Sequence, residues 1–225
     1  MFLIVLINLL ISSFCLTSFA KSPETVLEDY NKIPPTINYY PYSDFSFTDE
    51  RIEWQTYNNL RRKQGSAFFA IGEKLFVEGY VRDINGIPID GITIKLVQSN
   101  ANGVYNHMSE KDDALYDNNF ASNGISITDN RGYYSFITVF PGYYNNRAPH
   151  LHIKFESLKH GNIETEIFFE NHPRNAKDPK YTKLTKQEKS LVTGITSFID
   201  PSQKERGKKV RFDVTYNANQ TTKVF

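Results

Sequence analysis

His150 and His152 stand one residue apart in the segment Arg147-Ala148-Pro149-His150-Leu151-His152. In an extended strand, residues i and i+2 point to one face. The spacing therefore lets two imidazoles reach a single atom while Leu151 faces the other way. Pro149 fixes its own φ and biases Ala148 toward extended geometry, which gives His150 a rigid entry. Just upstream, the Pro141-Gly142 turn exposes Tyr144. Paired histidines on one strand face are metal-ligand chemistry, or an ordinary pair of surface or core histidines; the spacing alone does not choose. Cys15 is the only cysteine of the 225 residues and lies in an apolar N-terminal run. Any metal held by the rest of the chain takes nitrogen and oxygen ligands.

The elements that would position such a site are strands. With 14 Tyr and 17 Phe the chain is rich in residues that suit a β core. Alternating or apolar runs at Lys74–Val81, Ile92–Val97, Tyr133–Val139, Leu151–Phe155, Glu164–Phe169, Val192–Phe198 and Val210–Tyr216 read as strands. Turn signals separate them, among them Asp83-Ile84-Asn85-Gly86, Asn130-Arg131-Gly132 and His160-Gly161-Asn162. The first two runs make a strand–turn–strand unit. One short helix is expected near Thr185–Leu191, where Thr185 and Glu188 fit a capping box. The pattern predicts an all-β chain, a β-sandwich of short mixed and antiparallel strands over residues 74–225. Residues 21–73, with Pro34-Pro35, Pro41 and the basic stretch Arg61-Arg62-Lys63, read as an irregular N-terminal arm wrapping the main domain or a neighbouring subunit.

Residues 2–20 carry no charge and end in Ser18-Phe19-Ala20, the pattern of a secretory signal peptide cut after Ala20. The rival reading is an uncleaved anchor. With Phe14 before Cys15, a lipidation site is not expected. The expectation is an exported protein, periplasmic or secreted, with no membrane contact after cleavage. A net charge of +1 gives no electrostatic case for nucleic acid.

Beyond the His-x-His pair, ordered blocks run along the chain: Val77-Glu-Gly-Tyr-Val-Arg-Asp83, Gly86-Ile-Pro88, Gln98 to Gly103-Val-Tyr105, Asp117-Asn-Asn-Phe120, and Thr128-Asp129 to Phe136. After them come Pro141-Gly-Tyr-Tyr144, Arg147 to His152, Phe168-Phe169, and Asn175 to Asp178. Over roughly residues 74–216 the chain resembles the intradiol ring-cleavage dioxygenases, most closely the protocatechuate 3,4-dioxygenase branch. The resemblance implies a mononuclear non-haem Fe(III) held by Tyr105, Tyr144, His150 and His152. Phenolate is a hard anionic donor, so two of them favour the ferric ion, which displaces protons that tyrosine otherwise holds to pH ~10. It further implies intradiol cleavage of a catechol-type ring with O2. Tyr144 would be the ligand that leaves on substrate binding, and Arg147 would stabilise negative charge developing on the substrate. A homo-oligomer is compatible with the resemblance.

Competing assignments follow from the same residues. Tyr143 adjoins Tyr144, and a one-residue slip exchanges them; the spacing to Arg147 and His150 favours Tyr144. Arg147 is otherwise a surface ion-pair residue. His107, His160 and His172 fall in expected loops and read as solvated. Glu166 occupies a position where the family often carries a glutamine, so it either adds negative charge beside the site or faces outward. The turns alone also resemble transthyretin-like and carboxypeptidase-regulatory-like binding modules, which need none of Tyr105, His150 and His152. A further possibility is a chain that keeps the iron site but has lost turnover.

Overall fold

A computed structural model describes residues 45–50, 52–105 and 115–216. The expected signal peptide, the first part of the arm, Cys15 and His107 lie outside the described residues. Among the described residues nine strands follow in chain order: β1 (Lys74–Asp83), β2 (Thr93–Val97), β3 (Asn123–Ile127), β4 (Tyr133–Val139), β5 (His150–Glu156), β6 (Ile163–Phe169), β7 (Thr193–Phe198), β8 (Lys208–Arg211) and β9 (Val214–Tyr216). Helix α1 (Lys186–Val192) sits between β6 and β7, capped by Thr185 and Glu188 in the reciprocal capping box the sequence predicts. Among the described residues no helix is long and apolar enough to cross a membrane.

The strands form the layers of an all-β sandwich. One layer has the order β3-β2-β5-β6 and the other β7-β8-β1-β4, with β9 also pairing β1. They are joined where β6 runs parallel to β7 at Phe168–Thr193 and Phe169–Gly194. Between the layers lies one apolar core: Leu75, Val77 and Val81 of β1 meet Ile94 and Leu96 of β2 and Leu151, Ile153 and Phe155 of β5. The Tyr134 ring packs edge-on against Phe155 with centroids 5.5 Å apart. Its hydroxyl donates to the Phe212 carbonyl at 2.6 Å, so the polar end of a buried ring is satisfied.

Three elements depart from the sequence expectation. The turn after β1 forms as expected, with the Asp83 carboxylate accepting from the Asn85 and Ile87 amides. The chain then crosses to the other layer, so β1 and β2 are not neighbours; β1 pairs with β4, β8 and β9 instead. The run Val210–Tyr216 is two strands, interrupted at Phe212-Asp213, where the Asp213 carboxylate accepts the Tyr80 amide at 2.9 Å in place of a backbone carbonyl. Strand β3 is absent from the sequence reading because it opens on Asn123-Gly124, a turn signal. A Cβ on Gly124 would lie 2.7 Å from Leu60 Cδ1 and 2.5 Å from the Tyr57 carbonyl oxygen. The glycine makes room for the preceding segment to lie across the strand.

That segment, residues 45–73, contains no helix or strand among the described residues, yet it is bound to the sandwich along its length. Leu60 is fully buried in the core. Its amide donates to the Ile137 carbonyl at 2.8 Å, and its own carbonyl accepts from Ala121 at 2.9 Å. Leu60→Ala removes a buried side chain from the main core and is expected to lower unfolding stability by about 2–5 kcal/mol. Urea denaturation reads this out; a loss below ~0.5 kcal/mol would show the segment to be peripheral.

Candidate metal centre and its buried charge network

Strand β5 carries Leu151, Ile153 and Phe155 on its core face, and His150, His152 and Lys154 on the other. Both faces are buried. Phe45 stacks on His152 with ring centroids 4.7 Å apart, and Phe47 and Trp54 continue the cover. Tyr105 comes from the loop after β2 and Tyr144 from the loop after β4. The two loops are tied together where the Gly142 amide donates to the Asn100 carbonyl at 2.9 Å and Ser99 Oγ to the Gly142 carbonyl at 3.2 Å. A Cβ on Gly142 would lie 2.4 Å from the Gly103 amide nitrogen, so only glycine allows this approach. Beyond Tyr144 the chain turns through Asn145 at φ 52°, a left-handed conformation asparagine tolerates. The turn closes with the Arg147 amide donating to the Tyr144 carbonyl at 2.9 Å.

The side chains converge on one point. His150 Nε2 and His152 Nε2 are 3.2 Å apart, and His152 Nε2 is 3.2 Å from the Tyr105 hydroxyl. The Tyr144 ring stands edge-on to Tyr105 with centroids 5.6 Å apart. His150 Nδ1 contacts the Ala148 carbonyl at 2.7 Å. A carbonyl only accepts, so the proton is on Nδ1 and the Nε2 lone pair faces inward. Burial pushes the His150 pKa down, against the opposing pull of Glu166, and keeps the ring neutral. Two ligand atoms each about 2.0–2.1 Å from one metal, at 90–110°, lie about 2.8–3.4 Å from each other. The observed separations fall in that interval. A donor set of imidazole nitrogens and phenol oxygens, without thiolate, fits a hard metal ion such as iron.

Behind the histidines lies a network of buried charges. Glu166 is opposite His152 in the β5–β6 register and is fully buried. Its carboxylate pairs with the Arg147 guanidinium and with Lys180 Nζ at 3.3 Å, and lies 3.7 Å from His152 Nδ1. Of the two sequence-based alternatives for Glu166, the outward-facing one is corrected: the carboxylate lies beside the site, and Arg147 and Lys180 compensate its charge. Arg147 is likewise no surface ion-pair residue. Its Nε donates to Asp178 at 2.9 Å from a side chain only 9% exposed. Burial opposes the Arg147 charge, and the carboxylates of Glu166 and Asp178 outweigh it, so its pKa is raised. Asp178 also accepts from the amides of Ala148, Lys180 and Tyr181 at 2.8–2.9 Å.

A cavity of about 230 Å³ opens over the cluster, walled by Phe45, Tyr105, Tyr144, Asn145, Asn146, Arg147, His150, His152, Pro179 and Lys180. An apolar cavity of about 150 Å³ takes up benzene, so this one has room for a single substituted ring. All five site residues expected from the sequence thus line one cavity. Tyr143 points away, 53% exposed, under the Arg174 guanidinium 3.5 Å from its ring centroid. His160 and His172 lie away from the cavity but are half-buried rather than solvated: His160 packs on Tyr216, and His172 caps a short 3-10 helix at Pro173–Lys177. Phe45, Pro179 and Lys180 were not expected as wall residues. Nothing local marks them, because they reach the cavity only through the arm and the loop after β6.

Residues 53–218 match the family model described as Dioxygenase. The chain belongs to the intradiol ring-cleavage dioxygenases. These are oxidoreductases that use non-haem iron, and membership takes the chain away from the transthyretin-like reading. It is 28% identical over 160 residues to the protocatechuate 3,4-dioxygenase beta chain of Burkholderia cepacia, covering 68% of each chain. With catechol 1,2-dioxygenase of Candida albicans it shares 25% identity over 167 residues, 66% of this chain and about half (52%) of that enzyme. The fold matches an intradiol ring-cleavage dioxygenase from Tetranychus urticae with a TM-score of 0.61, at 21% identity over 85% of this chain and 97% of the other.

Asp178 supplies a pH test of the network. Burial works against its charge, but the Tyr181 and Ala148 amides and Arg147 prevail and hold its pKa below the usual carboxylate range. Its folded pKa being lower than the unfolded value of ~3.9, the stabilisation is fully present above that value and is lost as pH falls through the folded one. Urea unfolding from pH 7 to 2 is expected to show this acid-side loss. Asp178→Asn should lower the neutral plateau and flatten the decline; an unchanged profile would remove Asp178 from the network.

Proposed function

We propose that this chain holds one ferric ion through Tyr105, Tyr144, His150 and His152, and cleaves a catechol-type ring between its two hydroxyl-bearing carbons, placing both atoms of O2 in a muconate-type diacid. The observation that carries the reading is the convergence of two imidazole nitrogens and a phenol oxygen at successive 3.2 Å separations beneath a ring-sized cavity. When bound, the ferric ion supplies the Lewis acidity that activates a catecholate toward dioxygen.

The protein's own part is positioning, charge and proton handling. His150 is fixed by its bond to Ala148 and presents a neutral Nε2. Tyr105 supplies the phenolate that remains in place. Tyr144, on the cavity wall, would be the tyrosine that gives way to substrate, its phenolic oxygen taking a catechol proton. The Arg147 guanidinium is held rigid by two carboxylates at the cavity wall, so it faces negative charge developing on the ring without having to reorganise. Phe45 and Pro179 bring apolar surface that keeps water from the reacting ring.

The purified protein loaded with ferric iron is expected to be red-brown from tyrosinate-to-iron charge transfer and to consume oxygen with catechol, protocatechuate or hydroxyquinol. Tyr105→Phe and His152→Ala should each lose iron, measured by metal analysis. A colourless loaded protein, or iron retained in both variants, would defeat the ligand assignment. Coloured protein without oxygen uptake on any catechol would leave an iron-binding protein that has lost turnover. We further propose export, on the uncharged run ending Ser18-Phe19-Ala20. The mature chain should then begin at Lys21 in N-terminal sequencing, and a chain retaining Met1 would contradict it.

A further inference from the structure

We infer that Glu166 is a specificity-determining residue that restricts the cavity to catechols whose ring bears no anionic substituent; the inference rests on the proposed function above and names the substrate class. Among the described residues of the cavity wall, the cationic side chains are Arg147 and Lys180. Both end on Glu166, and Arg147 also on Asp178. The side chains of Glu166 and Asp178 have no solvent exposure, so water does not screen them from the cations they face. Two cations and two carboxylates make a balanced set.

A substrate carboxylate is recognised by surplus positive charge. Seated beside Arg147 or Lys180, such a full and permanent charge, unlike the partial charge that develops on the ring during cleavage, would compete with Glu166 for the same donors and leave three carboxylates on two cations in a buried place. A ring bearing hydrogen, alkyl or halogen makes no such demand, and it meets apolar surface from Phe45 and Pro179. The sign of the balance is set by one side chain. An amide at position 166 would leave two cations facing Asp178 alone, with one positive charge to spare for an anionic substituent. Glu166 therefore acts through Arg147 and Lys180, while its own carboxylate stays behind them.

The test compares two ligands of similar size and opposite demand, 4-methylcatechol and protocatechuate, on the iron-loaded protein. Calorimetric binding without oxygen is measured alongside kcat/KM for oxygen uptake. The wild type is expected to favour 4-methylcatechol by at least about tenfold. Glu166→Gln should narrow or reverse that ratio by about tenfold, and Lys180→Gln, which removes a cation, should widen it. Taking a ratio cancels any general loss of folded or iron-loaded protein, which a merely structural role would produce. Wild-type protein that binds protocatechuate as tightly, or variants that leave the ratio unmoved, would overturn the inference. Selective binding without oxygen uptake would uphold it while the catalytic reading fails. Binding of neither ligand would overturn both.

Discussion

A strand has two faces, and β5 buries both. Its core face is ordinary: Leu151, Ile153 and Phe155 fill the space between the layers. Its outer face carries two imidazoles and a lysine, and polar groups there need partners once water is removed. Everything distinctive about the molecule answers that requirement. Phe45, Phe47 and Trp54 are laid over the face from a segment that makes no strand of its own. Lys154 is paired with Glu156 and Glu164. The histidines meet each other, Tyr105 and Glu166, and His150 also the Ala148 carbonyl. An outer face that was simply solvated would need none of this cover, and would offer a metal no dry cavity.

The same constraint explains why so much charge is buried behind the site. A fully buried carboxylate such as Glu166 is tolerated only when it is paired and hydrogen-bonded. Arg147 and Lys180 do this for Glu166, and Arg147 with three backbone amides does it for Asp178. The network thus serves two ends at once. It anchors the loop that carries Tyr144 and Arg147 to the loop after β6, and it fixes the electrostatic background against which a ligand is read.

Much of this was legible in the sequence because it is local. The i, i+2 spacing of His150 and His152 and the Thr185–Glu188 capping box each depend on neighbours a few residues away, whereas the turn expected at Pro141-Gly142 forms past Tyr144, at Asn145-Asn146. The strand pattern was readable for the same reason, since alternation survives any topology. What was not legible depends on who lies opposite. Asn123-Gly124 reads as a turn until Leu60 is known to fill the space above the glycine. Glu166 is ambiguous until the β5–β6 register sets it across from His152. Phe45 and Lys180 approach the cavity from far along the chain, and no short-range pattern reports on them.

The pairing of β1 has a consequence for how the chain comes to be folded. Its partners are β4 on one side and β8 with β9 on the other, and both of the latter run parallel to it. The first strand of the sandwich therefore keeps an unpaired edge until residues 208–216 exist. Contacts of such long sequence separation are formed slowly, after a large loss of chain freedom. On the ribosome, the half-built sheet must wait with an open flank until residues 208–216 have emerged, long after β1 itself.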